Sequence, residues 1–142
     1  MAYNTGRYLK MAARQLTKNF DQFAWQYDLT STQMSIIDYL GRRTAAQILQ
    51  RDIEQEFNIR RSTATLILQR MEKKGLLQRF VAHHDARQKM VQLTAKGQEL
   101  ITLISQYMAS QQADLEQHFG TTRIREFEEV LQYYLNLEGD QH

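Results

Sequence analysis

No proline interrupts any of the 142 residues, whereas average usage would supply about seven. Proline breaks helix interiors by removing an N–H and clashing with the preceding turn, so its absence points to a mostly helical chain. From about Thr5 to Tyr27, Tyr8, Leu9, Ala12, Ala13, Leu16, Phe20, Phe23, Ala24 and Tyr27 recur at three and four, the spacing of an amphipathic helix. Thr30 or Ser31 caps a second helix, in which Met34, Ile36, Ile37 and Leu40 run to Gly41. A third is expected over roughly Gln47 to Phe57, with Ile48, Leu49, Ile53 and Phe57 buried. Asn58-Ile59 marks a turn, and Ser62 or Thr63 caps a fourth helix ending in Lys73-Lys74-Gly75, with cations at the negative end of its dipole. Gly41, Gly75 and Gly120 are expected to close helices at C′ positions that tolerate φ > 0.

The period changes after Gly75. Leu77 to Val81 and Lys89 to Leu93 read as two short strands joined by the polar loop His83 to Gln88, a hairpin with a charged tip. Thr94 then caps a long helix to about Phe119, with Leu100, Ile101, Ile104, Tyr107, Met108, Leu115 and Phe119 inward. A last helix after Gly120 carries Ile124, Phe127, Val130, Leu131, Tyr134 and Leu135 at helical spacing. Helix, turn, basic helix and two-stranded hairpin is the order of a winged helix-turn-helix. The expected fold is mainly α: a single domain over 1–142, with a winged-helix lobe over about 29–97 and helices over about 1–28 and 98–142 flanking it.

Charge is distributed unevenly along this pattern. The net charge is only +2, but residues 58–96 hold nine lysines and arginines against Glu72 and Asp85, a local charge of +7. Residues 97–142 sum to −6. A basic block confined to one stretch is the electrostatic footprint of a polyanion partner, or a solvated positive face. With Ala64, Ile67, Leu68 and Met71 buried, Ser62, Leu66, Gln69 and Lys73 fall on the opposite side of the fourth helix, flanked by Thr65 and Arg70. A helix about 10–12 Å wide fits a major groove of about 12 Å, provided its first residues are small or polar, as Arg61, Ser62, Thr63 and Thr65 allow.

These residues resemble the MarR (multiple antibiotic resistance regulator) family of dimeric winged-helix transcription factors. The resemblance runs through Leu29-Thr30 to Gln33, Arg61-Ser62-Thr63-Ala64-Thr65, Leu68 through Glu72-Lys73-Lys74-Gly75-Leu76, and Asp85-Ala86-Arg87 followed by Leu93-Thr94-Ala95-Lys96-Gly97. It implies a repressor that binds a pseudo-palindromic operator in double-stranded DNA as a homodimer and is released by a small phenolic or anionic ligand. Arg87 is then the wing arginine entering the minor groove, and Asp85 the acid that orients the wing. Arg61, Thr63 and Thr65 are phosphate and base contacts. The remaining DNA-facing candidates are Arg60, Ser62, Leu66, Gln69, Arg70, Lys73, His84 and Lys89. Leu66 departs from the polar or basic residue common at that position; it packs on a thymine methyl or against the wing. The resemblance also implies that the first helix and the last two intertwine between two copies, which would cover their apolar residues.

A ligand pocket would draw on Arg14, Lys18, Phe20, Phe23, Trp25, Tyr27 and Tyr39, although an aromatic stripe at helical spacing is more often plain core. Zero cysteines exclude disulfides and thiolate metal sites. His83 and His84 are adjacent in a loop, His118 has only Asp114 at i−4 and His142 is terminal, so a metal-responsive repressor of the same fold is disfavoured and no cofactor is expected. His83 and His84 instead suit DNA phosphates, with tighter binding below about pH 6.5. No Gly-rich phosphate loop or Ser-His-acid motif suggests an enzyme. A winged-helix module that binds protein is the other class, distinguishable by a flat salt dependence. With no run of about 18 apolar residues and no apolar leader, no membrane is expected, and a cytoplasmic location is.

Overall fold

The computed structural model describes residues 4–43, 46–82 and 85–137. The chain divides into two compact units, residues 1–104 and 105–142. Among the described residues no helix is long and apolar enough to cross a membrane.

The first unit opens with α1 (Thr5–Trp25), whose Asn4 side chain accepts from the Arg7 N–H at 2.9 Å. A tight turn through Asp28, at φ 58°, leads to α2 (Ser31–Gly41). Thr30 Oγ1 accepts from the Gln33 N–H at 3.2 Å while Gln33 Oε1 accepts from the Thr30 N–H at 3.1 Å. This reciprocal capping box satisfies two donors that α2 itself leaves open. Next come β1 (Ile48–Leu49), α3 (Gln50–Glu56) and α4 (Arg61–Lys73), then the wing strands β2 (Leu77–Ala82) and β3 (Asp85–Leu93), and the single turn α5 (Ala95–Gln98). The three strands form one antiparallel sheet in the order β1-β3-β2. Met34, Ile36, Ile37, Ile53, Leu68, Met71 and Leu77 are fully buried and form the core under it.

Several local expectations change. The third helix does not begin at Gln47: Ile48 and Leu49 pair with Val91 and Met90, so the sheet has a third strand. Helix α3 starts only at Gln50, where the Asp52 carboxylate accepts from the Leu49 N–H at 2.8 Å and places an acid at the positive helix end. Neither Ser62 nor Thr63 caps α4. Arg60 holds the N-cap position in extended backbone without a side-chain bond, and both hydroxyl residues lie inside the first turn. The wing tip is shorter than read, because Asp85 to Gln88 belong to β3. Pairing jumps from Val81–Lys89 to Ala82–Asp85, so β3 carries three extra residues there.

Thr94 does cap a helix, accepting from the Gly97 N–H at 3.2 Å. That helix is α5, however, and the chain turns at Glu99-Leu100 before α6 (Ile101–Phe119). Of the three glycines, Gly75 and Gly120 have φ of 75° and 79°. Gly75 closes α4 in a Schellman motif: Leu76 N–H donates to Met71 O at 3.0 Å and Gly75 N–H to Glu72 O at 2.9 Å. Gly41 remains helical, and its value is close approach. A Cβ there would sit 2.9 Å from Ile101 Cγ2.

The second unit comprises the distal part of α6 and α7 (Thr121–Leu135), which Gly120 separates. Ile124 is buried, whereas Leu115, Phe119, Phe127, Val130, Tyr133 and Leu135 are exposed in the single chain. The Arg123 guanidinium lies over the Phe119 ring at 5.2 Å.

Candidate nucleic-acid interface

Helix α4 divides its residues as its periodicity requires. Ala64, Leu68 and Met71 are fully buried and Ile67 is half-buried, while Arg61, Ser62, Thr63, Leu66, Gln69, Arg70 and Lys73 face solvent and Thr65 is half-buried. The Asn58 backbone, at φ 50°, turns the chain between α3 and α4, a conformation that asparagine adopts more readily than most residues.

The wing meets the first turn of this helix. Arg87 is 89% exposed at its side chain, yet it is held: its backbone N–H donates to Asp85 Oδ1 at 3.0 Å and its Nε to the same oxygen at 3.3 Å. Arg61 Nη2 donates to the Arg87 carbonyl at 3.4 Å. Between α3, α4 and the wing lies an open cavity of about 330 Å³, lined by Gln50, Arg51, Glu54, Arg61, Thr65, Arg79, Arg87, Gln88 and Lys89. Four of the expected DNA-facing residues, Arg61, Thr65, Arg87 and Lys89, therefore share one cleft. Arg60, Ser62, Thr63, Leu66, Gln69, Arg70 and Lys73 lie outside its lining on α4 or at its cap, and His84, with His83, falls outside the described residues.

Gln50, Arg51, Glu54, Arg79 and Gln88 also line the cleft, and none was singled out from sequence. Arg79 counts in the basic block but is not available to a polyanion. Its side chain is 9% exposed, its Nε donates to Glu72 Oε1 at 2.6 Å, and its Nη1 to Gln50 Oε1 at 3.2 Å. Lys74 is similarly occupied, donating to the Asp28 carbonyl at 2.6 Å and to Gln33 Oε1 at 3.0 Å, and Lys96 donates to the Lys74 carbonyl at 2.7 Å. What remains at the cleft is Arg51, Arg61, Arg87 and Lys89 around Gln50, Thr65 and Gln88, with Glu54 as the one acid of its lining, a cationic balance suited to phosphate oxygens and base edges.

The seven ligand-pocket candidates are spread over α1, the turn that follows it and α2. Arg14 and Lys18 are exposed on α1, and Trp25 is 65% exposed at its end. Phe20 and Phe23 are half-buried, with the Phe23 and Tyr27 rings 5.4 Å apart. Tyr39 packs edge-on to Phe57 at 5.9 Å beneath the Arg43 guanidinium; burial raises its phenol pKa above the ordinary value, against the lowering effect of Arg43. Tyr27 borders a separate cavity of about 240 Å³, with Asp28, Leu29, Lys74, Leu76, Lys96, Glu99 and Leu100. Among the described residues, no group of three histidines or carboxylates is placed to hold a metal ion.

A model of the MarR family matches residues 27–88. The crystal structure of the transcription regulator MarR from Oenococcus oeni PSU-1 is 46% identical over 94% of this chain and 100% of that one, with a TM-score of 0.85. NadR in complex with 4-hydroxyphenylacetate is 25% identical, covering 96% of each chain, with a TM-score of 0.77. MepR of S. aureus in its DNA complex shares the fold at a TM-score of 0.85 and 22% identity, over 94% of this chain and 97% of that one. No curated protein sequence matches the chain.

Proposed function

The chain belongs to the MarR family, and on that premise we propose that it is a transcriptional repressor that binds a pseudo-palindromic operator as a homodimer and leaves it when a small phenolic or anionic molecule binds. The observation that carries this reading is the convergence of Arg61, Thr65, Arg87 and Lys89 on one cleft at the start of α4. Helix α4 enters the major groove with Arg61, Ser62, Thr63, Thr65, Gln69 and Arg70 toward bases and phosphates, and Arg87 reaches the backbone or minor groove from the wing. Asp85 positions that arginine without burying it.

Two copies are needed for a stable reader. Tyr8, Met11 and Leu16 on α1 are at least half exposed in the single chain, as are Phe127, Tyr133 and Leu135 in the second unit. A second copy covers such surfaces, and a two-fold axis sets two α4 helices about one DNA turn apart. The cavity beside Tyr27, lined by the apolar Leu29, Leu76 and Leu100 with Asp28, Glu99, Lys74 and Lys96 around them, suits a small aromatic ring such as that of the NadR ligand 4-hydroxyphenylacetate, and an anionic group on it would have to draw Lys74 or Lys96 from the carbonyls they now serve.

The test is binding of the purified chain to duplexes selected from a random library, measured across a salt series. Each neutralised phosphate contributes about −0.9 to the slope of log affinity against log salt, so several contacts give a steep line. A flat line indicates a protein-binding module and overturns the reading.

Leu66 lies on the outward face of α4 at 49% exposure, and the methyl group of a thymine is the apolar contact that a major groove offers it. Leu66→Ala is expected to lower affinity about fivefold and to flatten the preference for thymine at one position of the half-site. Unchanged preference at every base pair removes the methyl contact from the account.

A further inference from the structure

Gln50 is 7% exposed and makes two hydrogen bonds inside the cleft. Its amide orientation follows from its neighbours. Arg79 can only donate, so the group that receives Arg79 Nη1 at 3.2 Å must be the Gln50 oxygen. Glu72, 2.6 Å from Arg79 Nε, holds the guanidinium in place. The Gln50 NH₂ is thereby turned toward Thr65 and donates to its Oγ1 at 2.8 Å. An alcohol oxygen that has accepted one bond still has a proton to give. Among the described residues no acceptor takes it: Thr17 returns its proton to the carbonyl four residues back, Ala13 O, at 3.0 Å, but Thr65 makes no such bond.

From this we infer that Gln50 is a positioning residue that fixes Thr65 as a hydrogen-bond donor toward DNA. Arg79 donates one way to Glu72 and the other way to Gln50, and from Arg79 through Gln50 to Thr65 each group donates to the next, leaving the Thr65 hydroxyl proton still to give. Thr65 then takes an acceptor atom of the nucleic acid, a phosphate oxygen, a guanine O6 or N7, or a thymine O4. It disfavours the amino groups of cytosine and adenine. Gln50 occupies one of the two lone pairs of the Thr65 oxygen and leaves its proton unused, so the fold biases this hydroxyl toward donation before DNA arrives.

The inference rests on the DNA-binding reading, and a double-mutant cycle tests it. Duplexes are selected from a random library with the unmodified dimer, and dissociation constants are then measured on the best duplex and on all its single base-pair variants. Thr65→Val, which removes the proton but keeps the shape, is expected to weaken binding about tenfold, and Thr65→Ser to stay within about twofold. Gln50→Glu reverses the polarity, because a carboxylate accepts the Thr65 proton. It is expected to cost about tenfold or more and to shift the base or acceptor preference nearest Thr65. Gln50→Met removes the amide without adding charge and is expected to cost about threefold. In the Thr65→Val background the Gln50→Met loss should vanish and the Gln50→Glu loss should shrink.

Equal factors in both backgrounds, or full binding by Thr65→Val, overturn the inference while leaving the DNA-binding reading intact. Failure of the unmodified dimer to bind any duplex overturns both. Thermal unfolding of each variant monitors the fold, and should Gln50→Glu not fold, the Gln50→Met cycle decides alone.

Discussion

The two ends of α4 hold the same kinds of residue and use them in opposite ways. At its first turn Arg61 faces solvent beside Arg87, which stands 89% exposed on the wing with only Asp85 to steer it. Beyond its last turn Lys74 and Lys96 donate to backbone carbonyls and Arg79 is locked to Glu72. Both sets belong to one basic block, and charge counting treats them alike. The difference lies in what each cation finds within reach. Carbonyls freed where a helix ends attract ammonium groups inward, whereas the start of a helix offers N–H donors and leaves arginines to the solvent. The cations at the first turn therefore stay exposed, as do Arg70 and Lys73 in the last, while Lys74, Arg79 and Lys96 fasten the fold.

The largest expected effect breaks the fastening end. A Cβ on Gly97 would run into the Leu76 carbonyl, the group that accepts from the Thr94 N–H. Gly97→Ala should cost on the order of 3 kcal/mol of stability by overpacking against backbone, measured by denaturant unfolding. Arg79→Ala comes next, at about 2 kcal/mol, because it strands Glu72 and Gln50 in a half-buried network. Its loss of DNA affinity should leave the salt slope unchanged. The smallest change in stability is expected at the exposed first turn, where Arg61→Ala and Arg87→Ala should stay within about 0.5 kcal/mol of the unmodified protein. Each should nevertheless reduce the salt slope by about one. If Arg79→Ala also flattens the slope, the two ends are not separate and the comparison fails.

Much of this organisation was legible in the sequence because it is local. The α1 and α4 stripes, the Thr30 cap, the Asn58 turn and the Gly75 stop are each written within a few consecutive residues. What was not legible depends on distance. Ile48 and Leu49 fit a helical period with Ile53 and Phe57 as well as they fit a strand, and only Val91 and Met90, more than 40 positions away, decide the matter. Gln50 is polar at a buried position and gives no periodic signal. Its meaning comes from Thr65, 15 residues away, and Arg79, 29 residues away. Arg79 itself was visible as a charge, but its sequestration was not, since the Glu72 that holds it is one of only two acids in the block.

The three surplus residues of β3 carry a consequence for how such a chain can change. Because Val81 faces Lys89 and Ala82 faces Asp85, the segment bearing Ala86, Arg87 and Gln88 hangs outside the ladder. Its length and composition can change while every rung from Leu77–Leu93 to Val81–Lys89 stays in place. Substitutions there can alter what the wing presents to its surroundings without disturbing α4 or the ladder beneath it.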